Sequence, residues 1–164
     1  LGQARTTAVA STRALHPHAA AGRPILFCEP SCLSAMREDV PALLRGDDRT
    51  RAEEVAGQCM LLEEYLESIG DRLRLSPRAA TVMLHGHCHQ KAMGLVPPLK
   101  ALLSRIEGAE VVDLDAGCCG LAGSFGYARD HVAVSRAIGE RKLFPAVRAK
   151  APGTVVVEIG RAHV

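Results

Sequence analysis

The sequence has no tryptophan and, among 164 residues, only two tyrosines and three phenylalanines. Single-stranded nucleic acids are gripped by aromatic platforms inside a basic groove, and here the net charge is only +2 with acids and bases interspersed, so nucleic-acid binding is disfavoured. Also missing is any apolar run approaching the roughly 20 residues that span a bilayer. The opening LGQARTTAVASTRALHPHAAAGRP lacks the basic-then-apolar order of a secretory leader. The expectation is a cytoplasmic protein without a transmembrane segment. Residue 1 is Leu, not Met, and the chain opens in helical style without a cap, which leads us to expect a fragment. What is present is a globular composition, 48% hydrophobic and 23% charged, long enough for one ordinary domain and part of a second.

Apolar patterning alternates between strand and helix. PILFCEP (24–30) is a short apolar run bounded by prolines, and SCLSAMREDVPALL then carries helical spacing behind a Ser cap. RAEEVAGQCMLLEEYLESIG (51–70) places Val55, Cys59, Leu62 and Leu66 on one face of an expected helix that Gly70 ends. TVMLHG (81–86) and AEVVDLD (109–115) read as strands. KAMGLVPPLKALLSRI reads as a helix interrupted by Pro97 and Pro98, and 130–150 as one that Pro145 bends or ends. Strands separated by helices imply an α/β fold: a doubly wound, Rossmann-like, mostly parallel sheet with helices on both faces.

Chemistry in such folds gathers in loops beyond the carboxyl ends of strands. FCEPSC, HGHCHQK and DAGCCGLAGSFG follow the three expected strands and hold five of the six cysteines. The sixth, Cys59, lies on an apolar face and reads as a buried, inert thiol. Structural disulfides are disfavoured without a secretory context. A bond between Cys118 and Cys119 would be strained, because adjacent Cα atoms are only about 3.8 Å apart. Thiolates select soft metals, chiefly zinc and iron–sulfur clusters. Vicinal cysteines rarely aim both side chains at one small tetrahedral ion but can reach different irons of a cluster, so iron–sulfur is favoured over zinc and over thiol redox use. Glycines at 117, 120, 123 and 126 let the backbone approach such a group and permit positive φ.

The ordered set EPSC (29–32), HGHCHQKA (85–92) and CCGLAGSFGY (118–127), followed by IGERKLFPAVR (138–148) and APGT (151–154), resembles the cysteine-rich CCG domain family. That family includes the B subunit of heterodisulfide reductase, iron–sulfur subunits of glycolate oxidase and anaerobic glycerol-3-phosphate dehydrogenase, and the carboxyl-terminal part of FAD-linked dehydrogenases. The motifs are most similar to the D-lactate type of this last group, from about residue 15 to Thr154. The resemblance implies an electron-transfer module, an oxidoreductase component of an FAD-linked 2-hydroxy-acid (D-lactate or glycolate type) dehydrogenase. It would carry a 4Fe-4S type iron–sulfur cluster on the metal ligands Cys32, Cys88, Cys118 and Cys119. The cofactor-binding surroundings would be Gly117, Gly120, Gly123, His87 and His89. FAD would lie on a domain outside these residues, so the fragment is expected to be inactive alone. Partners would be upstream FAD and ferredoxin-like domains or subunits and an electron acceptor such as a quinone or cytochrome, giving peripheral association with the inner membrane. Alternatives are a heterodisulfide-reductase-like catalytic cluster domain and a zinc-stabilised α/β binding module without a redox role.

In the family pattern Cys88 opens a second repeat, with Cys118-Cys119-Gly120 following after 29 residues, and Cys32 closes the first. Residues 1–50 are then the end of the first CCG repeat and 51–156 the second. Cys28 reads more as a buried strand thiol than as a ligand. Val155 and Val156 stand where a closing Ser-Cys is expected, so the second repeat lacks its last motif and the chain is expected to be one cluster thiolate short. The codons GAG ATC GGA AGA GCA CAC GTC encode Glu158–Val164 and match a common sequencing adapter, so 157–164 is expected to be a non-native tail. His85, His87 and His89 share one face if the segment is extended. Lys91 is placed to compensate cluster charge, Tyr127 and His131 read as a solvated helix start, and Lys142 and Arg148 as an exposed helical face.

Overall fold

The computed structural model describes residues 1–158 and divides the chain into two compact units, Leu1–Ile69 and a second beginning at Gly70. Both are α/β, and every strand pair is parallel.

The first unit runs α1 (Gly2–Ala20), β1 (Ile25–Phe27), α2 (Pro30–Ser34), a π-helical turn (Ala35–Asp39), α3 (Val40–Leu43), α4 (Gly46–Gln58), β2 (Cys59–Leu61) and α5 (Leu62–Ser68). Small residues let α1 and α4 pack closely: Ala8 and Ala52 are buried with Leu44, and Val9 and Val40 close over them. The helix expected over 51–70 is broken by β2, whose Cys59, Met60 and Leu61 pair with Ile25, Leu26 and Phe27. Side chains hold the break open. The Arg37 guanidinium donates to the Cys59 carbonyl at 2.7 and 3.0 Å, and Glu64 accepts the Leu61 N–H at 2.7 Å. These backbone groups are thus satisfied without helical partners. Cys59 is buried as expected, though in a strand, and burial outweighs the nearby Arg37 charge to push its thiol up to about 11. Cys28 follows β1 and is exposed, so the buried-thiol reading fails there.

The second unit contains β3 (Ala80–His85), α6 (Cys88–Ala92), α7 (Val96–Ser104), β4 (Ala109–Asp113), α8 (Val132–Gly139), α9 (Leu143–Arg148) and β5 (Val155–Glu158). Its sheet has the order β4-β3-β5. The central strand buries Val82, Leu84 and His85. Pro97 and Pro98 begin a new helix, α7, because the first helical positions have no intrahelical use for an N–H. The helix expected over 130–150 divides between Gly139 and Leu143. That places Pro145 in the first turn of α9, where its missing N–H is tolerated. β5 pairs Val155, Val156, Val157 and Glu158 with Val82, Met83, Leu84 and His85 in unbroken register. Of the stretch expected to be a non-native tail, Val157 and Glu158 therefore belong to a strand, and 159–164 lie outside the described residues.

Candidate metal centre

Three cysteines meet at the carboxyl end of the second unit's sheet. β3 ends at His85, and α6 begins at Cys88. A reciprocal cap makes that turn: His87 Nδ1 accepts from the His89 N–H at 3.2 Å, and Gln90 Oε1 accepts from the His87 N–H at 3.3 Å. The Gln90 side chain is fully buried, which fixes the turn from below. His87 and His89 stack with ring centroids 5.6 Å apart. The strand has ended before them, so the single-face alternation of the three histidines does not hold, and His85 is separated from the other two by burial.

Cys118 and Cys119 come from the loop after β4. Positive φ recurs along it, at Asp115 (41°), Gly117 (74°), Gly120 (95°), Ala122 (43°) and Gly123 (68°). Asp115 and Ala122 bear this left-handed backbone without glycine's freedom, so the rest of the loop must hold them there. Two lysines do part of this. Lys91 Nζ donates to the Gly117 carbonyl at 3.0 Å, and Lys142 Nζ to the Asp115 carbonyl at 2.9 Å. Lys142 thus braces the loop instead of merely marking an exposed face. Gly120 is required twice, by its φ and because a Cβ there would run into the Ser135 carbonyl of α8. His131 is not simply a solvated helix start, since its ring stacks on Phe125 at 4.0 Å between centroids.

The sulfurs are close and already face polar hydrogens. Cys88 and Cys118 are hydrogen-bonded to one another. The Gly120 N–H donates to Cys118 Sγ at 3.3 Å, and the Leu121 N–H donates to Cys119. Partial burial, then the neighbouring sulfurs of Cys118 and Cys119, hold the Cys88 thiol above the ordinary value; the Lys91 charge opposes this. Cys119 is likewise raised, first by burial and then by the Glu158 carboxylate, against the hydrogen bond from Leu121. Crowded sulfurs that resist ionisation together are what a cation of matching size relieves. This donor set fits an iron–sulfur cluster, whose sulfurs take hydrogen bonds from glycine-loop backbone.

Cys32 belongs to the first unit. It is exposed at the start of α2, where Glu29 caps the helix by accepting from the Cys32 N–H at 2.7 Å and from Ser31 Oγ at 2.5 Å. Burial would raise the Glu29 pKa, but these hydrogen bonds outweigh it and bring it to about 2. The structure therefore gathers Cys88, Cys118 and Cys119, with Gly117, Gly120 and Gly123 shaping their loop and His87 and His89 capping the helix beside them. Sequence reasoning missed the role of Lys142, whose significance depends on the path of the loop. It weighed His85 only as one of three alternating histidines. A cavity of about 580 Å³ borders Cys119 and His85, walled by Leu121, Val132 and Phe144, with Arg136 among its few charged groups.

Two proteins of similar sequence are the C subunits of the anaerobic glycerol-3-phosphate dehydrogenase from Escherichia coli strains K12 and O157:H7. Each is 30% identical over 137 residues, covering 84% of this chain and 34% of the relative. The chain thus spans about a third of the length of these relatives. No family model matches the sequence, and no solved structure matches it. Among the described residues, no helix is long and apolar enough to cross a membrane.

Proposed function

We propose that the chain is an iron–sulfur electron-transfer module of the CCG type, part of an oxidoreductase that oxidises a 2-hydroxy acid through FAD held on another domain or subunit. The observation carrying this reading is the meeting of Cys88, Cys118 and Cys119 in a glycine loop whose N–H groups already donate to sulfur. Similarity to a subunit of an anaerobic dehydrogenase supports it independently. A cluster of 4Fe-4S type would be ligated by these three thiolates, with Gly117, Gly120, Gly123, His87 and His89 as its surroundings, while Cys32, by the family pattern, would serve as a cluster thiolate of the first repeat. When bound, such a group accepts and releases single electrons, dividing the pair taken up by a flavin.

The protein's own residues supply the rest. Backbone N–H groups of Gly120 and Leu121 stabilise negative charge on sulfur, Lys91 places a cation by Cys88, and the capped turn at His87 fixes where Cys88 points. Electrons would leave towards a quinone, a cytochrome or a similar acceptor at the inner membrane, on the cytoplasmic side. For the substrate, the motif resemblance favours a 2-hydroxy acid such as D-lactate or glycolate. The named relatives favour glycerol 3-phosphate as a second reading.

The test is anaerobic purification of the intact protein containing this chain, followed by addition of D-lactate, glycolate or glycerol 3-phosphate. Bleaching of the visible cluster absorption by one of the hydroxy acids is expected. Bleaching by glycerol 3-phosphate alone selects the second reading, and no response to any of the three overturns both.

A further inference from the structure

The cavity of about 580 Å³ beside the cysteine loop lies wholly within the second unit. Its volume falls in the roughly 300–1,000 Å³ range of small-molecule sites, which are apolar with a few placed polar groups. Helix periodicity builds the walls. Val132 and Arg136 lie one turn apart on α8, and Phe144 and Val147 one turn apart on α9, so each helix turns one face to the space. A Cβ on Gly139 would collide with the Phe144 ring, so this glycine lets the ring lie against the end of α8. The two arginines at the cavity differ. Arg148 is engaged by Glu140, donating to its carboxylate at 2.6 and 2.8 Å. Arg136 is exposed and has no hydrogen-bond or ion-pair partner among the described residues, which leaves its charge for an occupant. Cys119, a cluster thiolate in the function proposed for this chain, borders the same space.

We propose that this cavity binds the module's electron acceptor, a quinone, with its ring between Leu121, Val132 and Phe144 and one carbonyl oxygen towards Arg136. This rests on the reading of the chain as an electron-transfer module. A quinone enters uncharged and apolar, as these walls require, and gains negative charge only at its oxygens on reduction. A guanidinium already in place stabilises charge at the point where it develops. An apolar carboxylate would also satisfy Arg136 but could not take up electrons, and a cytochrome would need no cavity. The quinone takes up two electrons and two protons to become the quinol. The electrons come from the substrate-reduced flavin, which returns to its oxidised form, and the protons from solvent. Glu158 also borders the cavity, but it lies in the stretch expected to be a non-native tail and has no part in the binding.

The probe is duroquinone, whose fully methylated ring does not add thiols, with trimethylbenzoate as a carboxylate of similar size. Binding to the intact protein containing this chain is read by equilibrium dialysis under anaerobic conditions. Saturable binding of duroquinone is expected. V132W, which fills the cavity, should abolish it, and R136Q should weaken it at least fivefold. Arg136 is exposed, so R136Q keeps the test decisive if V132W disturbs α8. Duroquinone should also restore the visible absorption of substrate-bleached protein, and do so more slowly in R136Q. Absence of saturable binding, binding unchanged in both variants, or binding of trimethylbenzoate but not duroquinone overturns the proposal. Failure of the underlying reading looks different. A protein without cluster absorption whose duroquinone binding is lost in V132W and weakened in R136Q keeps the site and overturns the electron-transfer role. Cluster absorption without duroquinone binding overturns the site alone.

Discussion

At the scale of single residues, the six cysteines divide by environment more sharply than by sequence. Cys59 is buried with its thiol at about 11, whereas Cys28, Cys32 and Cys88 are exposed, Cys88 with its thiol raised by its own partial burial and by the neighbouring sulfurs of Cys118 and Cys119. On the metal-free chain at pH 8, iodoacetamide should therefore modify Cys28 and Cys32 first and leave Cys59 intact, as read by peptide mass spectrometry. Cys88 and Cys119 lie above the ordinary thiol value of 9.0, so their modification should accelerate only as the pH climbs past it. The same direction means that the folded second unit keeps thiol protons that the unfolded chain has already lost. Its stability should then fall as pH rises above 9.0. Rapid labelling of Cys59, or equal rates at all six cysteines, would contradict these assignments. Lys142 gives a second test. Its ammonium is exposed, so K142M should cost about 1 kcal/mol or less in unfolding experiments. It should nonetheless speed labelling of Cys118 by loosening the loop. An unchanged rate would mean that the contact with the Asp115 carbonyl does not hold the loop.

At the scale of elements, patterning made the strands β1, β3 and β4 legible, since each is a short apolar or β-branched run closed by turn residues. β2 was not. Its three residues, Cys59, Met60 and Leu61, continue the helical spacing of their neighbours, and only pairing with β1 and the Arg37 and Glu64 contacts reveal a strand. Such long-range partners have no local signature. The cysteine loop was legible in composition, because its glycines are where the backbone turns left-handed, yet Asp115 and Ala122 share that geometry with no glycine to announce it. Gly120 tests the loop directly. G120A adds a Cβ at a φ of 95° and against the Ser135 carbonyl, which should destabilise the second unit by about 2 kcal/mol or more. It should also lower cluster loading, whereas a G120A protein with wild-type thermal stability would show that α8 yields at no cost.

At the scale of the whole molecule, the α/β class and the grouping of Cys88 with Cys118 and Cys119 followed from strand-ending loops carrying thiols. Strand register did not follow from sequence, and it is register that sets His85 beside Glu158. Membership in a larger oxidoreductase rests on motif resemblance and on similarity to proteins of which this chain spans 34%. The module's part in such an assembly depends on whether its thiolates hold iron and sulfide. That is measured most directly by anaerobic reconstitution of the chain with iron and sulfide, followed by visible and electron paramagnetic resonance spectroscopy, in parallel with C88S and C118S. A brown protein with a broad visible sulfide-to-iron charge-transfer band, and loss of that band in both variants, are expected. A colourless wild type, or colour that persists in C88S and C118S, would contradict the assignment of these cysteines as cluster ligands.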